Sequence, residues 1–437
     1  MAAALAAADA GAHVVLLERR STLGGLTSSM QRGGHSFDNG QHVFLRCCTA
    51  YRGFIERIGA TEQVYLQPRL DVPVLAPGGI RSSIRRNRLP APFHLAWSLG
   101  RFHLLSVRER LLLTRAAFAL RRLDPDDPKI DHVAFGDWLT RKGQSPRAIQ
   151  CLWDLIALPT LNVRASDASL ALATKVFRVG LLDHSDGADI GWSKVPLSEL
   201  HGTIAARALM AAGVETVCNA TVSSIDRTAT GAFTINVGAG VHEVDAVIVT
   251  TSPRGATALG ALNPDVVEHL GTSPIVNIHF VLDRRVMELP MAACVDSPIQ
   301  FIFDRTDASG VHAGQYLVVS LSAANEYMRE SSADLITTFF EALGEIFPLA
   351  RNARLLDAVV TRERAATFRA GPGSRGFRPP PGTSVPGLFL AGAWCDTGWP
   401  ATMEGAVRSG QFASARAIAH AVGHNVMNPP FLGGTRG

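Results

Sequence analysis

The chain has 437 residues, 47% of them hydrophobic and 18% charged, with 42 Lys+Arg against 38 Asp+Glu and a formal net charge of +4. At about 100–200 residues per domain, this length predicts two or three domains or one large fold with an insertion. The apolar content excludes a disordered chain, and the 40 Gly and 24 Pro follow no triplet repeat that would make a collagen. A charge of +4 over this length is no nucleic-acid footprint. The charged fraction is below the roughly 25% of ordinary soluble domains, which leans toward an apolar substrate or contact with a membrane surface. Six cysteines (Cys47, Cys48, Cys151, Cys218, Cys294 and Cys395) form no C-x-x-C pair. That pattern predicts free thiols in a reducing cytoplasm and no metal site. No run approaches about 18 consecutive apolar residues, so no helix is predicted to span a bilayer. The opening MAAALAAADAGAHVVLLE lacks the basic leader of a signal peptide.

Residues 1–8 are nearly all Ala and Leu, which predicts a helix stopped at Gly11. His13-Val-Val-Leu-Leu-Glu18 then reads as a parallel strand ending in an acid. Helix, glycine turn, strand and carboxylate are the second half of a dinucleotide-binding βαβ unit, whose acid follows its glycine fingerprint by about 20 residues and bonds a ribose. Counting back from Glu18, the glycine fingerprint falls just before Met1, which predicts a mis-assigned start or a truncated chain. Gly24-Gly25 follow Glu18, and Gly33 to His42 form a turn-rich loop containing Asp38-Asn-Gly-Gln-His42.

Residues about 93–122 read as an apolar, Arg-bearing helix with His94 and His103 on its surface, and about 132–182 as mostly helical. From Val214 the period becomes two. Val217–Ile225, Ala232–Val237 and Ala246–Thr250 read as strands, as do Ser273–Leu282 and Gln315–Leu321. Residues 332–346 read as a helix, 371–387 as a Gly/Pro loop, 388–390 as a buried strand and 402–421 as a helix.

Four segments together resemble one superfamily: Glu18 to Gly25, Asp38-x-Gly40-Gln41-His42, the meander ending at Pro253, and Leu390-Ala-Gly392 to Gly405. The chain resembles FAD-dependent amine oxidases and phytoene desaturases. Within them, AGAWCDTGWPATMEGAVRSG (391–410) and LWDLIALPTLNVRASDASLALATKVF (152–177) look like the squalene-associated FAD-dependent desaturases, known as hydroxysqualene dehydroxylases. The resemblance implies an α/β fold: a discontinuous Rossmann-type FAD domain (about 1–66, 195–252 and 380–437) and an inserted mixed substrate domain (about 67–194 and 253–379). It implies FAD as cofactor and an apolar C30 isoprenoid as substrate, and it leaves the electron donor unnamed. The expected activity is reductive dehydroxylation of hydroxysqualene in squalene and hopanoid synthesis. The expected location is the cytoplasm, with peripheral contact on the inner face of its membrane. Three rivals stand beside it: a carotenoid or polyprenyl desaturase, a flavin amine oxidase using Lys175 or Lys194, and a non-catalytic truncated flavoprotein.

The resemblance also assigns residues. Glu18 would bond the adenosine ribose, and the backbone at Val222 would meet adenine. Gly24 and Gly25 would let the backbone approach the cofactor. Relatives place Arg after this pair, and Leu26 stands there, so Arg19 or Arg32 is expected to face the pyrophosphate instead. His42 would line the flavin or the substrate mouth. Many relatives have Asp after Ala-Gly392, where this chain has Ala393. Thr402, Met403 and Glu404 would present the positive end of a helix to the flavin pyrimidine. Trp192, Trp394 and Trp399 are expected as an apolar wall, and Asp396 and His42 as candidates for the general acid.

Overall fold

The computed structural model describes residues 1–423; the end of the expected cofactor half, 424–437, lies outside the described residues. The chain has the α/β fold that the sequence predicts. The Ala-rich helix Ala2–Asp9 stops at Gly11, whose φ of 86° lies in the left-handed region. Its small side chains let it lie directly on the long helix Met403–Ala421. A Cβ at Gly410 would come within 3.1 Å of Ala3 N, so glycine sets how closely these two helices approach.

Two parallel strand pairs join distant parts of the chain. Val15–Leu17 pairs with Glu215–Val217, and Val247–Val249 with Leu388–Leu390. Parallel neighbours need crossover connections, which is why they come from distant parts of the chain. The expected strand Val217–Ile225 is interrupted. Asn219 turns left-handed at φ 56° and gives its amide to Arg20 O, while Ala220 N bonds Glu18 O. A three-stranded antiparallel meander then runs Val222–Arg227, Phe233–Val237, Gly240–Val244.

A seven-stranded sheet dominates the rest, in the order Leu355–Thr367, Ser273–Leu282, Gln315–Ser322, Phe301–Asp304, Met291–Cys294, Asp71–Ala76, Ile80–Arg85. Helix Ser332–Ile346 covers it with Leu335, Phe339 and Leu343 and is capped by the Ser331 hydroxyl, which accepts Asp334 N at 3.1 Å. Helices fill the remainder of this half. The predicted helix over 93–122 is really two, Ala96–Gly100 and Val107–Arg121; a capping box between Ser106 and Glu109 starts the second. His94, expected at the surface, is buried beneath this segment at 1% exposure, while His103 is exposed as expected.

A hairpin, Ser29–Arg32/His35–Asp38, and a small sheet of Val43–Leu45, Ile190–Ser193 and Val64–Leu66 complete the strands. Between them lies the loop 39–42.

Candidate active site

Glu18 closes the first strand. Its amide bonds Val217 O at 2.9 Å and its carboxylate accepts the Arg20 amide at 2.7 Å. Because Ala220 is tied to Glu18 O, the start of the meander at Val222 is brought beside the acid. Among the described residues only Glu18 Oε1 is engaged, so Oε2 stays open to a ribose hydroxyl.

Gly24 and Gly25 turn the chain next. Gly24 has φ 115°, and a Cβ there would come within 2.8 Å of Thr27 O. Thr27 N and Oγ1 both bond Gly24 O. The need for glycine at Gly24 is therefore met by the turn itself, while Gly25, at φ 59°, faces open space. Arg19 is exposed, and Arg32 is drawn away to an exposed ion pair with Asp357 at 3.1 Å. The arginine that reaches this turn is Arg20, whose Nη1 donates to Gly25 O at 2.9 Å. The sequence reading passed over it because strand position alone does not aim a side chain.

Asp38 is buried and fully engaged. Its Oδ1 accepts Ser29 Oγ and Leu197 N, and its Oδ2 accepts Arg305 Nη2 at 3.3 Å. It is a joint between the halves, and it fixes the loop that follows. Asn39 O accepts Asn277 Nδ2 and Thr361 Oγ1 from the large sheet. His42 is half-buried, with Nδ1 3.2 Å from Gly40 O. Burial pushes its pKa below the ordinary range, against the opposing pull of the Gly40 carbonyl and Asp38. The ring is thus neutral near pH 7; with the proton on Nδ1, Nε2 is an acceptor.

The C-terminal segment supplies the other wall. Ala391 N bonds Val249 O, and Gly392 N bonds Ser409 Oγ at 2.9 Å. A Cβ at Gly392 would come within 2.4 Å of Trp394 Nε1; this indole is buried and donates to Thr251 O. Trp394 is therefore a packing residue. Trp399 is half-buried under two cations, with Arg408 Cζ at 5.1 Å and Lys175 Nζ at 6.0 Å from its ring. Trp192 tilts onto Tyr65 with centroids 4.7 Å apart. The three tryptophans thus have three different surroundings. Lys194 is exposed.

Thr402 caps the long helix by accepting Gly405 N at 3.2 Å. The amides of Met403 and Glu404 lie in its first turn, ahead of the intrahelical ladder. The Glu404 side chain points elsewhere. Buried, it accepts Ala50 N at 3.1 Å, Tyr51 N at 2.7 Å and Arg408 Nε at 2.6 Å. The carboxylate therefore serves the N-terminus of a second helix, Thr49–Arg57; only the Glu404 backbone is open to the flavin. Tyr51 carries the chain onward, its hydroxyl 2.9 Å from His201 Nε2. Burial pushes His201 down to about 3, helped by neighbouring His42.

Asp396 sits in the loop before this helix, half-buried, with Oδ1 accepting Gly398 N at 3.0 Å. Arg378 Nη1 lies 3.9 Å away. The Arg378 guanidinium donates to the carbonyls of Ala393, Trp394 and Cys395 and holds the loop from behind. Burial lowers its pKa to about 10. Arg378 lies in the Gly/Pro stretch, where nothing in the sequence signals it.

The folded chain brings Glu18 and Val222 together at one end. His42 neighbours His201, His201 meets the Tyr51 hydroxyl, and Tyr51 N is held by the Glu404 carboxylate at the start of the helix that Thr402 caps. Gly392 and Asp396 lie on the loop between the last strand and helix, and Arg19 joins none of these. Gln41 Nε2, His201 Nδ1 and Thr397 Oγ1 are shielded from solvent with no hydrogen-bond partner among the described residues. An open acid at a strand end, a helix N-terminus and orphaned polar atoms in the loops between them fit a dinucleotide with a polar tricycle.

Such a fold and site define a flavoprotein oxidoreductase. The family model for flavin containing amine oxidoreductases matches residues 1–418, and the chain belongs to that family, with FAD as its cofactor. It is similar to a hydroxysqualene dehydroxylase of Zymomonas mobilis, 24% identical over 96% of this chain and 97% of that one. It is also similar to a zeta-carotene desaturase of Synechocystis, 22% identical over 96% and 95%. Among solved structures, an oxidoreductase from Methanosarcina mazei superposes with a TM-score of 0.74 at 16% identity, over 95% of this chain and 96% of that one.

Proposed function

We propose that this FAD-dependent oxidoreductase removes the hydroxyl of hydroxysqualene reductively, giving squalene and water. The observation that carries the reading is the full-length likeness to a hydroxysqualene dehydroxylase. The C-terminal segment also adjoins apolar packing, since Leu388, Leu390, Trp394 and Cys395 belong to one buried cluster with Phe135, Trp153, Leu172 and Phe177, surroundings in keeping with a C30 hydrocarbon that carries one hydroxyl.

In this reaction the allylic C–O bond breaks, the oxygen leaves as water with one added proton, and a C–H bond forms. FAD, when bound and reduced, would supply the hydride. The chain holds the alcohol, excludes water and delivers the proton. His42, neutral with Nε2 as an acceptor, orients the hydroxyl. Asp396, protonated from solvent before each turnover, passes that proton to the leaving oxygen: its Oδ2 has no hydrogen bond among the described residues, while Gly398 N holds Oδ1 and Arg378 Nη1 lies 3.9 Å from it. The Arg378 clamp on the carbonyls of residues 393–395 keeps that loop in place.

The test is anaerobic turnover of hydroxysqualene by chemically reduced protein. Squalene and reoxidised flavin are expected; unchanged alcohol rejects the reading. Asp396→Asn is expected to lower kcat about 10²- to 10⁴-fold with the flavin spectrum retained. The desaturase likeness favours a second reading, removal of hydrogen from a polyene. Supplying zeta-carotene to the oxidised protein separates the two. Peroxide release from an amine, lost in Lys175→Met, would instead support an amine oxidase, since Lys175 stands by Trp399.

A further inference from the structure

The positive charge is not spread evenly. Residues 77–123 contain ten arginines and a single acid, Glu109, a formal +9 by that count, in a chain whose total is +4. Arg85 pairs with Asp71, Arg86 with Asp189 and Arg121 with Asp183. Arg110 bonds Gly100 O. Arg81, Arg88, Arg101, Arg108, Arg115 and Arg122 are exposed and have no ion-pair partner among the described residues.

The same stretch exposes large apolar side chains. Ile80, Leu89, Phe93, Trp97, Val107 and Leu111 all stand out to solvent, Trp97 at 64% and Leu111 at 69%. The segments that bear them form one surface. Ser98 Oγ accepts Arg85 N and donates to Ser83 O, and Asn87 N bonds His94 O. The Phe93 and Phe118 rings lie 6.1 Å apart, and Arg101 stacks 3.9 Å over Trp97. On helix Val107–Arg121, Val107, Leu111 and Arg115 share a face, opposite Leu113, Ala116 and Leu120, which are buried. Each segment thus has an inner face in the core and an outer face of bulky apolar groups flanked by guanidinium groups.

We propose that this face docks on an anionic lipid bilayer, with Phe93, Trp97, Val107 and Leu111 entering the acyl boundary and the unpaired arginines lying at the headgroups. Anionic headgroups supply the counter-charge that the protein withholds from six arginines, and acyl chains supply an apolar phase for the side chains between them. A second copy of the chain fits poorly, because a two-fold contact would set the same unpaired guanidinium groups against one another. The proposal does not depend on the reaction assigned above, although a hydrocarbon substrate dissolved in the bilayer would be delivered at this face.

Flotation of the flavin-loaded full chain tests it without substrate, so its outcome is independent of the turnover assay. The chain should float with vesicles of mixed phosphatidylglycerol and phosphatidylcholine and stay at the bottom with phosphatidylcholine alone. High salt should release it. Trp97→Ser with Leu111→Ser should weaken binding about tenfold or more. Arg88→Gln, Arg108→Gln and Arg115→Gln together should abolish the preference for anionic lipid, with melting temperature and flavin spectrum unchanged. Brominated acyl chains should quench an emission component that Trp97→Phe removes. Failure to float, equal flotation with both lipids, variants that bind like the parent, or a dimer dissociated by the same substitutions would each overturn the proposal, as would salt-sensitive binding to duplex DNA in preference to vesicles.

Discussion

Two glutamines, one in the large sheet and one beside the site, treat the same side chain in opposite ways. Gln315 begins a central strand and is fully buried. Its Oε1 accepts Val286 N and Met287 N, and its Nε2 donates to Met287 O and Asp304 Oδ2. Gln41, in the loop beside His42, shields Nε2 from solvent and, among the described residues, gives it no partner. The surroundings of Gln315 close its hydrogen bonds internally, although Asn277 Oδ1 on the neighbouring strand stays unpartnered among the described residues. The loops around the C-terminal segment leave valences that a bound group can fill. Asp189 is of the first kind: it is fully buried, and it accepts Arg46 Nε, two nitrogens of Arg86 and Leu70 N. His201 and Thr397 are of the second.

The contrast can be broken by substitution. Asp189→Ala strands two arginines and an amide, and should cost about 3–5 kcal/mol in chemical denaturation; a loss under about 1 kcal/mol would show that the frame does not depend on such closure. Gln315→Leu removes the partners of Val286 N, Met287 N and Met287 O, leaving Asp304 Oδ2 to Arg285, and should cost about 2–3 kcal/mol. Gln41→Leu should change the unfolding midpoint of flavin-free protein by less than about 0.5 kcal/mol, yet raise the flavin dissociation constant about tenfold, read from flavin fluorescence on dilution.

Acid sharpens the comparison further. His201 and His279 are pushed from the ordinary 6.5 to about 3, both mainly by burial. The unfolded chain therefore binds more protons than the native one once pH falls below about 6.5. Stability should drop between pH 6.5 and 3, by on the order of 1.4 kcal/mol per pH unit for each ring that stays neutral in the native state. His279→Gln should flatten that slope in urea titrations at stepped pH. Glu404→Gln keeps an acceptor oxygen for only one of the Ala50 and Tyr51 amides, turns an NH2 group toward the other, and loses the charge facing Arg408 and the helix dipole; it should cost at least about 1 kcal/mol in thermal unfolding.

The pieces governed by local rules were legible. Ser273–Leu282 and residues 332–346 came from period and capping, and the C-terminal strand, glycine and helix from apolar pattern and turn chemistry. Strand Leu355–Thr367 was not. It is an edge strand whose Arg362-Glu363-Arg364 run carries no buried alternation, so only its pairing with Ser273–Leu282 makes it a strand. In the site, the sequence located His42, Asp396 and the helix start because they lie within motifs. It missed Tyr51, His201, Arg305 and Arg378, which matter through partners between 15 and 267 residues away. It assigned Glu404 only a backbone place at the helix start and did not foresee that the fold uses its carboxylate to hold another helix. Distance along the chain, more than residue type, separates what was read from what was missed.

The seam between helix Ala2–Asp9 and helix Met403–Ala421, set by Gly410, bears on biosynthesis. Helix Ala2–Asp9 must wait until the much later helix Met403–Ala421 is made before its alanine face is covered, and strand Val247–Val249 likewise waits for Leu388–Leu390. The large sheet, whose strands span residues 71–367, can assemble while synthesis is still under way. A chain ending short of residue 403 leaves that alanine face and the Val247–Val249 strand edge uncovered, the kind of exposed surface that makes folding intermediates prone to aggregate.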